Sequence, residues 1–225
     1  MASQDRRARE KAKVHEKILG AARGLFLKHG YEAVSLRKIA EAIDYTAPAI
    51  YTHFKDKREV LMALCRADFG ELTAGCLKLA SVADPVERIR QAGRSYIRFA
   101  VEHPQQYQLM FMRTHPPDIE PAPEDLAKMN DPDQDGYALL RASVQQAIAE
   151  GRLRPELRDA ELIAQVLWAS MHGIASLQIT HEHDPWVTWR SLDRRTSLMI
   201  DSVLRGMLLD PTQLDRPAAT KGGRR

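Results

Sequence analysis

Ser35, Arg37, Tyr45, Tyr51, His53 and Lys57 carry the hydroxyl, guanidinium, imidazole and ammonium groups that bind phosphate oxygens and base edges. Among them, Thr46, Ala47, Pro48 and Thr52 offer small apolar surfaces suited to thymine methyl groups. The run from Thr46 to His53 contains no Arg, Lys, Asn or Gln, so it lacks the common bidentate pairings to guanine and adenine. Arg37 is the candidate for base contact from the preceding segment. Ser35, Tyr51, His53 and Lys57 are expected on phosphates, which set register rather than sequence. The chemistry is recognition of duplex DNA, with shape and half-site spacing supplying much of the specificity.

Two short helices must hold these groups. Ser35 is a good N-cap for the first, and Ile39, Ala40 and Ile43 form its apolar face. Thr46 is the expected cap of the second, with Pro48 in its first turn, where a missing N–H costs nothing. Ile50 and Phe54 then point inward, and Ala47, Tyr51 and Thr52 point out. Asp44 lies in the turn and tolerates a left-handed conformation better than most residues. Val14 to His29 is an amphipathic helix expected to complete a three-helix unit, with Gly30 as its left-handed cap. Such a pair outlines a helix-turn-helix whose second helix enters the major groove.

The segment Gly30 to Leu61 resembles the DNA-binding part of the TetR family of bacterial transcriptional regulators, through Ile39-Ala40, Ile50-Tyr51, His53-Phe54 and Lys57. Asp44 stands where the family often has Gly, and Pro48 where it has a small residue. Trp168, His172 and Gly173 resemble the Trp…His-Gly signature of one TetR subgroup. The resemblance implies dimerisation through the last two helices and a C-terminal effector site.

Charge is distributed accordingly. Residues 1–60 hold thirteen Lys and Arg against eight Asp and Glu, and the remainder is slightly acidic, within a net charge of +3. Residues 1–12 read as a flexible basic arm, 13–58 as the reading head, 59–209 as a regulatory and dimerisation domain, and 210–225 as a disordered tail. Cys65 and Cys76 lie about 16 Å apart on one helix and cannot bridge. Free thiols and an N-terminus without an apolar core suit the cytoplasm. Leu162 to Thr180 is long enough to span a bilayer, but Gln165, Ser170, His172, Ser176 and Gln178 suit a helix buried in a soluble bundle, with no membrane partner.

The pattern is all-α. Asp56 and Asp84 cap long helices, the former linking the two domains, and a short helix follows Pro104. Residues 113–135, with Pro116, Pro117, Pro121, Pro123 and Pro132, read as an irregular connection or lid. A helix from Tyr137, one capped by Asp159 and one opened by Pro185 complete the chain. Tyr96, Phe99, His103, Tyr107, Phe111, Trp168, Met171 and His172 either form ordinary core or line a cavity for a hydrophobic or aromatic effector. Gly173 in mid-helix suggests close approach by another helix.

His103, His172, His181 and His183 are the imidazoles a base or metal site would need, but no acid or Cys shares a metal-binding spacing with them. There is no glycine-rich phosphate loop, nucleophile elbow or paired-carboxylate motif. The expectation is no catalytic residue, no metal and no cofactor. The partners are a double-stranded DNA operator, a small-molecule effector and a second copy of the chain, as in a repressor. A helical enzyme acting on a small molecule, or a thiol switch at Cys65 or Cys76, are the alternatives.

Overall fold

Helix formation follows the capping residues closely. The computed structural model describes residues 2–113 and 123–215. Its helices are α1 (Ala2–His29), α2 (Leu36–Ala42), α3 (Ala47–Tyr51), α4 (Lys57–Leu77), α5 (Pro85–Glu102), α6 (Pro104–Phe111), α7 (Pro123–Leu126), α8 (Gly136–Ala149), α9 (Ala160–His181) and α10 (Leu192–Met207). No strand occurs among the described residues, only an isolated bridge between Leu153 and Leu208. Ser35 Oγ accepts from Lys38 N at 3.3 Å, Asp56 Oδ1 from Glu59 N at 2.8 Å, and Asp84 Oδ1 from Val86 N at 2.8 Å. Asp135 and Asp159 cap α8 and α9 in the same way. The fold is all-α.

The chain divides into two compact units, one of residues 1–71 and 103–123, the other of residues 72–102 and 124–225. The first boundary falls inside α4. In the first unit, Ile18, Ala22 and Phe26 of α1 bury against Ile39, Ala40, Ile50 and Phe54, with Val60, Leu61 and Leu64 of α4 and Leu109 of α6 closing the core. In the second, α5, α8, α9 and α10 pack together. Val86, Ile89, Gly93, Tyr96, Ile97 and Ala100 form the buried stripe of α5.

Several expectations are corrected. Helix α1 starts at Ala2 rather than Val14. Residues 5–13 have no apolar stripe, but they are mostly Ala, Arg, Lys and Glu, strong helix formers, and Arg6 pairs with Glu10 one turn on. Helix α10 starts at Leu192, not Pro185. A turn from Asp184 N to His181 O ends α9, and Trp189 sits on irregular chain with the Arg195 guanidinium 4.8 Å from its ring. Residues 211–215 of the expected tail form a 3₁₀ turn, and the 113–135 connection contains the short α7. Residues 114–122 of the expected lid and 216–225 of the tail lie outside the described residues.

A further correction concerns α9. It is long and apolar enough to cross a membrane by length and composition, yet only 28% of its most apolar stretch is buried. Ile163, Ala164, Leu167, Met171 and Ala175 face the core, while Leu162, Val166 and Leu177 are exposed. Among the described residues, nothing approaches a Cβ built on Gly173 within 4 Å. The closely approached glycine is Gly93, where a Cβ would meet Met171 Cε at 2.8 Å and Ile200 Cδ1 at 3.1 Å. Gly93→Ala gains helix propensity of about 1 kcal/mol, offset by displacing the flexible Met171 tip, so chemical denaturation should show a change below about 1 kcal/mol. Gly93→Val should cost about 1–3 kcal/mol through overpacking.

Candidate functional site

Helix α3 has five residues, too few to be stable alone. Ile50 and Phe54, 0% and 3% exposed, fasten it to the core, each contributing about 1.5–3 kcal/mol by burial. Asp44 takes φ 59°, the left-handed turn that lets α3 follow α2. Buried on one side, the pair presents Arg37, Thr46, Pro48, Tyr51 and Thr52 to solvent, with Ala47 half-buried beside them. Tyr51 is 60% exposed, although aromatic rings usually contribute to a core.

The individual side chains differ from simple expectation. Thr46 holds the N-cap position but its hydroxyl makes no capping bond, and Thr52 Oγ1 donates to Ala49 O at 2.7 Å. Both residues are exposed. Arg37 Nε donates to Glu41 at 2.9 Å on the outer face of α2, a fully solvated pair of small energetic consequence. The ammonium of Lys57 turns inward. It donates to the carbonyls of Tyr31 at 3.0 Å and Glu32 at 3.3 Å, and lies 4.3 Å from the Tyr31 ring centroid. It therefore ties the α1–α2 loop to the start of α4. His53 is half-buried, its Nδ1 without a partner. Burial first, then the charges of Lys11 and His15, push its pKa down, which disfavours the cation. Ser35 is occupied as a cap, and Tyr45 is half-buried against the core.

The aromatic residues fall into both units. His103, Tyr107 and Phe111 belong to the first, where Tyr107 is fully buried and its ring lies 5.0 Å from that of Phe111. His103 Nε2 is 3.5 Å from Glu71. Tyr96, Phe99, Trp168, Met171 and His172 belong to the second. There Trp168 Nε1 donates to the Tyr96 hydroxyl at 2.9 Å, and Tyr137 packs edge-on against the indole at 5.8 Å. Met171 fills the notch over Gly93, and burial lowers the pKa of His172. A cleft of about 590 Å³ opens elsewhere in the second unit, lined by Arg141, Gln145, Ile148, Ala149 and residues 158–161. Its cations are engaged: Arg141 bonds Asn130 and Glu161, and Arg158 bonds the Pro155 carbonyl. Its charged lining reads as an ordinary helix surface, so no local pattern marks it.

The thiols and remaining imidazoles are also placed. Burial raises Cys65 and Cys76 to about 11, leaving little thiolate at neutral pH. His183 is almost fully exposed beside Glu182, and His181 lies 3.9 Å from Asp184.

Comparison with known proteins places this geometry. Residues 18–64 match the model of the bacterial regulatory proteins of the tetR family, and residues 89–203, about half the chain, match the tetracyclin repressor-like C-terminal domain. The HTH-type transcriptional repressor AcnR of Corynebacterium efficiens is 26% identical over 72% of this chain and 79% of its own length. The HTH-type transcriptional activator FasR of Mycolicibacterium smegmatis is 30% identical over 42% of this chain and 43% of its own. A TetR family transcription regulator from Marinobacter aquaeolei VT8 shares the fold with a TM-score of 0.70 at 19% identity, covering 90% of this chain and 98% of that one. These matches give the family and do not single out the subgroup suggested by Trp168, His172 and Gly173. With its two-helix reading head and its regulatory helices both matched, the chain belongs to the TetR family of transcriptional regulators.

Proposed function

We propose that the protein is a homodimeric repressor that holds a palindromic operator with two copies of α2–α3 and releases it when a small hydrophobic or aromatic molecule binds the second unit. The observation that carries this reading is the solvent-facing surface of Arg37, Thr46, Pro48, Tyr51 and Thr52, fixed from behind by Ile50 and Phe54. A short buttressed helix with small side chains outward fits the major groove. Tyr51 serves as a phosphate anchor, and Thr46, Ala47, Pro48 and Thr52 meet base edges. Ser35, Tyr45, His53 and Lys57 shape or flank the phosphate contacts.

A second copy is supported by α9. Leu162, Val166, Ala169, Gly173 and Leu177 recur every three or four residues along the face opposite its buried one, and Leu198 of α10 is 70% exposed. Small residues at Ala169 and Gly173 leave room for a close helix. A two-fold pair would set two reading heads about 34–36 Å apart or a multiple of that. The effector would engage Tyr96, Phe99, Trp168, Met171 and His172, all of the second unit. Helix α4 contributes residues to both units and would carry a coupling of about 1–3 kcal/mol. Functionally, residues 13–58 act as reading head and 59–209 as regulator in the cytoplasm. The raised thiols disfavour a redox switch.

Selection from a random duplex pool, followed by mobility shifts, tests the reading. Arg37→Ala should relax base preference at one position of each half-site, flattening discrimination by about 1–3 kcal/mol. Lys57→Ala should weaken every sequence alike, since it loosens the α1–α2 loop rather than a base contact. Uniform loss after Arg37→Ala would remove Arg37 from base reading. A folded sample that retains no duplex at low ionic strength would sink the whole proposal.

A further inference from the structure

On the N-terminal part of α1, every residue from Asp5 to Lys13 lies in solvent. The helix is rooted from Val14 on, where it first meets the core, followed by His15, which stacks on Phe54 at 4.7 Å, and the buried Ile18. That root stands beside the C-terminal end of the reading helix, with the His15 and His53 rings 6.4 Å apart. Residues 2–13 carry Arg6, Arg7, Arg9, Lys11 and Lys13 against Asp5 and Glu10, and Glu10 is engaged by Arg6. Twelve residues at 1.5 Å each project about 18 Å, the length of about five base pairs at 3.4 Å per pair.

We propose that this basic helical extension is a second DNA-contacting element, which grips phosphates flanking the half-site and lengthens the footprint by about five base pairs on each side. The inference rests on the DNA-binding reading above and adds the flanking duplex as its specific partner. Charge complementarity supports it: cations crowded on one exposed rod repel one another unless a polyanion lies alongside. A membrane surface is the poorer match. Apart from its alanines, residues 5–13 have no apolar side chain, whereas a helix lying on a bilayer needs an apolar face. The extension needs no base contacts. Its contribution is to affinity and salt dependence, not to sequence preference.

The test uses the full-length chain with all five cations neutralised (Arg6→Gln, Arg7→Gln, Arg9→Gln, Lys11→Gln, Lys13→Gln) and a variant that keeps the charges (Arg6→Lys, Arg7→Lys, Arg9→Lys). The probe is a duplex selected by the wild-type protein from a random pool, prepared with its flanks and trimmed by five base pairs at each end. Wild type and the lysine variant should lose about tenfold or more in affinity on trimming. Their log–log salt slope should fall by about 0.9 for each phosphate contact removed. The glutamine variant should bind both duplexes alike, with the lower slope throughout and a hydroxyl-radical footprint lacking the flanks. Wild-type slope and footprint in the glutamine variant would overturn the inference while leaving the DNA reading intact. Loss in the lysine variant equal to that in the glutamine variant would also overturn it, because charge would not be the cause. Tighter binding of wild type to anionic vesicles than to the flanked duplex would assign the surface to lipid instead. A wild-type protein that selects no duplex fails at the earlier step, and both proposals fall.

Discussion

Arg23→Met should lower the stability of the first unit by about 3–5 kcal/mol at neutral pH, and by less as the pH is lowered towards 4. Asp68 on α4 is 1% exposed, and Arg23 Nη2 from α1 donates to its Oδ1 at 2.5 Å, with Gln106 Nε2 of α6 adding a bond at 3.0 Å. Asp68 Oδ2 and Arg23 Nε are buried without partners among the described residues. An arginine at that distance ordinarily depresses a carboxyl, but here burial outweighs it. Burial is the largest influence and raises the Asp68 pKa, with Glu71 adding to it, against the opposing bonds of Gln106 and Arg23. The folded state thus favours protonated Asp68 relative to the unfolded state. That contribution is complete below the unfolded value near 3.9 and is lost as pH rises through the raised folded value. Removing the arginine raises the folded value further, so the variant suffers most where the carboxyl must ionise alone. Hydrogen exchange of α1 and α4 amides at pH 7 and pH 4.5 measures this within the first unit, where there is no tryptophan to report. Equal losses at the two pH values would show Asp68 in the same charge state at both.

That ion pair also shows where sequence reading stops. The reading head was legible because its signals are local: Ser35, Asp44 and Pro48 each act within four residues, and Ile50 and Phe54 share a helical stripe. Arg23 and Asp68 are 45 positions apart, on helices whose exposed faces are also charged, so nothing nearby distinguishes the pair that is buried. The inward turn of Lys57 has the same origin, since the carbonyls it holds are 26 and 25 residues earlier. The start of α1 was missed for another reason. An apolar stripe marks a helix that packs, whereas Asp5 to Lys13 forms one by propensity while packing on nothing. In α9 the apolar residues were legible as a set, but their division into a covered and an uncovered face was not. Which side a neighbouring helix takes is decided by α5, α8 and α10 together.

Val166→Asp should abolish the proposed dimer and lower operator affinity by about 10²–10⁴-fold, leaving the fold of the single chain intact. Val166 is 43% exposed near the middle of the uncovered α9 stripe, so in an isolated chain the carboxylate stays in water and costs within about 0.5 kcal/mol. In a two-fold pair each copy would place its carboxylate against the other's stripe, where Leu162, Ala169, Gly173 and Leu177 offer it no polar partner. Two uncompensated charges would then be desolvated at one interface, a cost of several kcal/mol each. Once the copies separate, the second reading head no longer benefits from the high local concentration that the first provides. The loss should fall on the palindrome alone. Affinity for a duplex carrying one half-site should be unchanged, because α2–α3 belong to the other unit. Sedimentation gives the mass, and titration of the two duplexes gives the ratio. A Val166→Asp protein that remains dimeric with full palindrome affinity would place the interface on another surface. A monomer with undiminished affinity would show that the two heads are not joined in function.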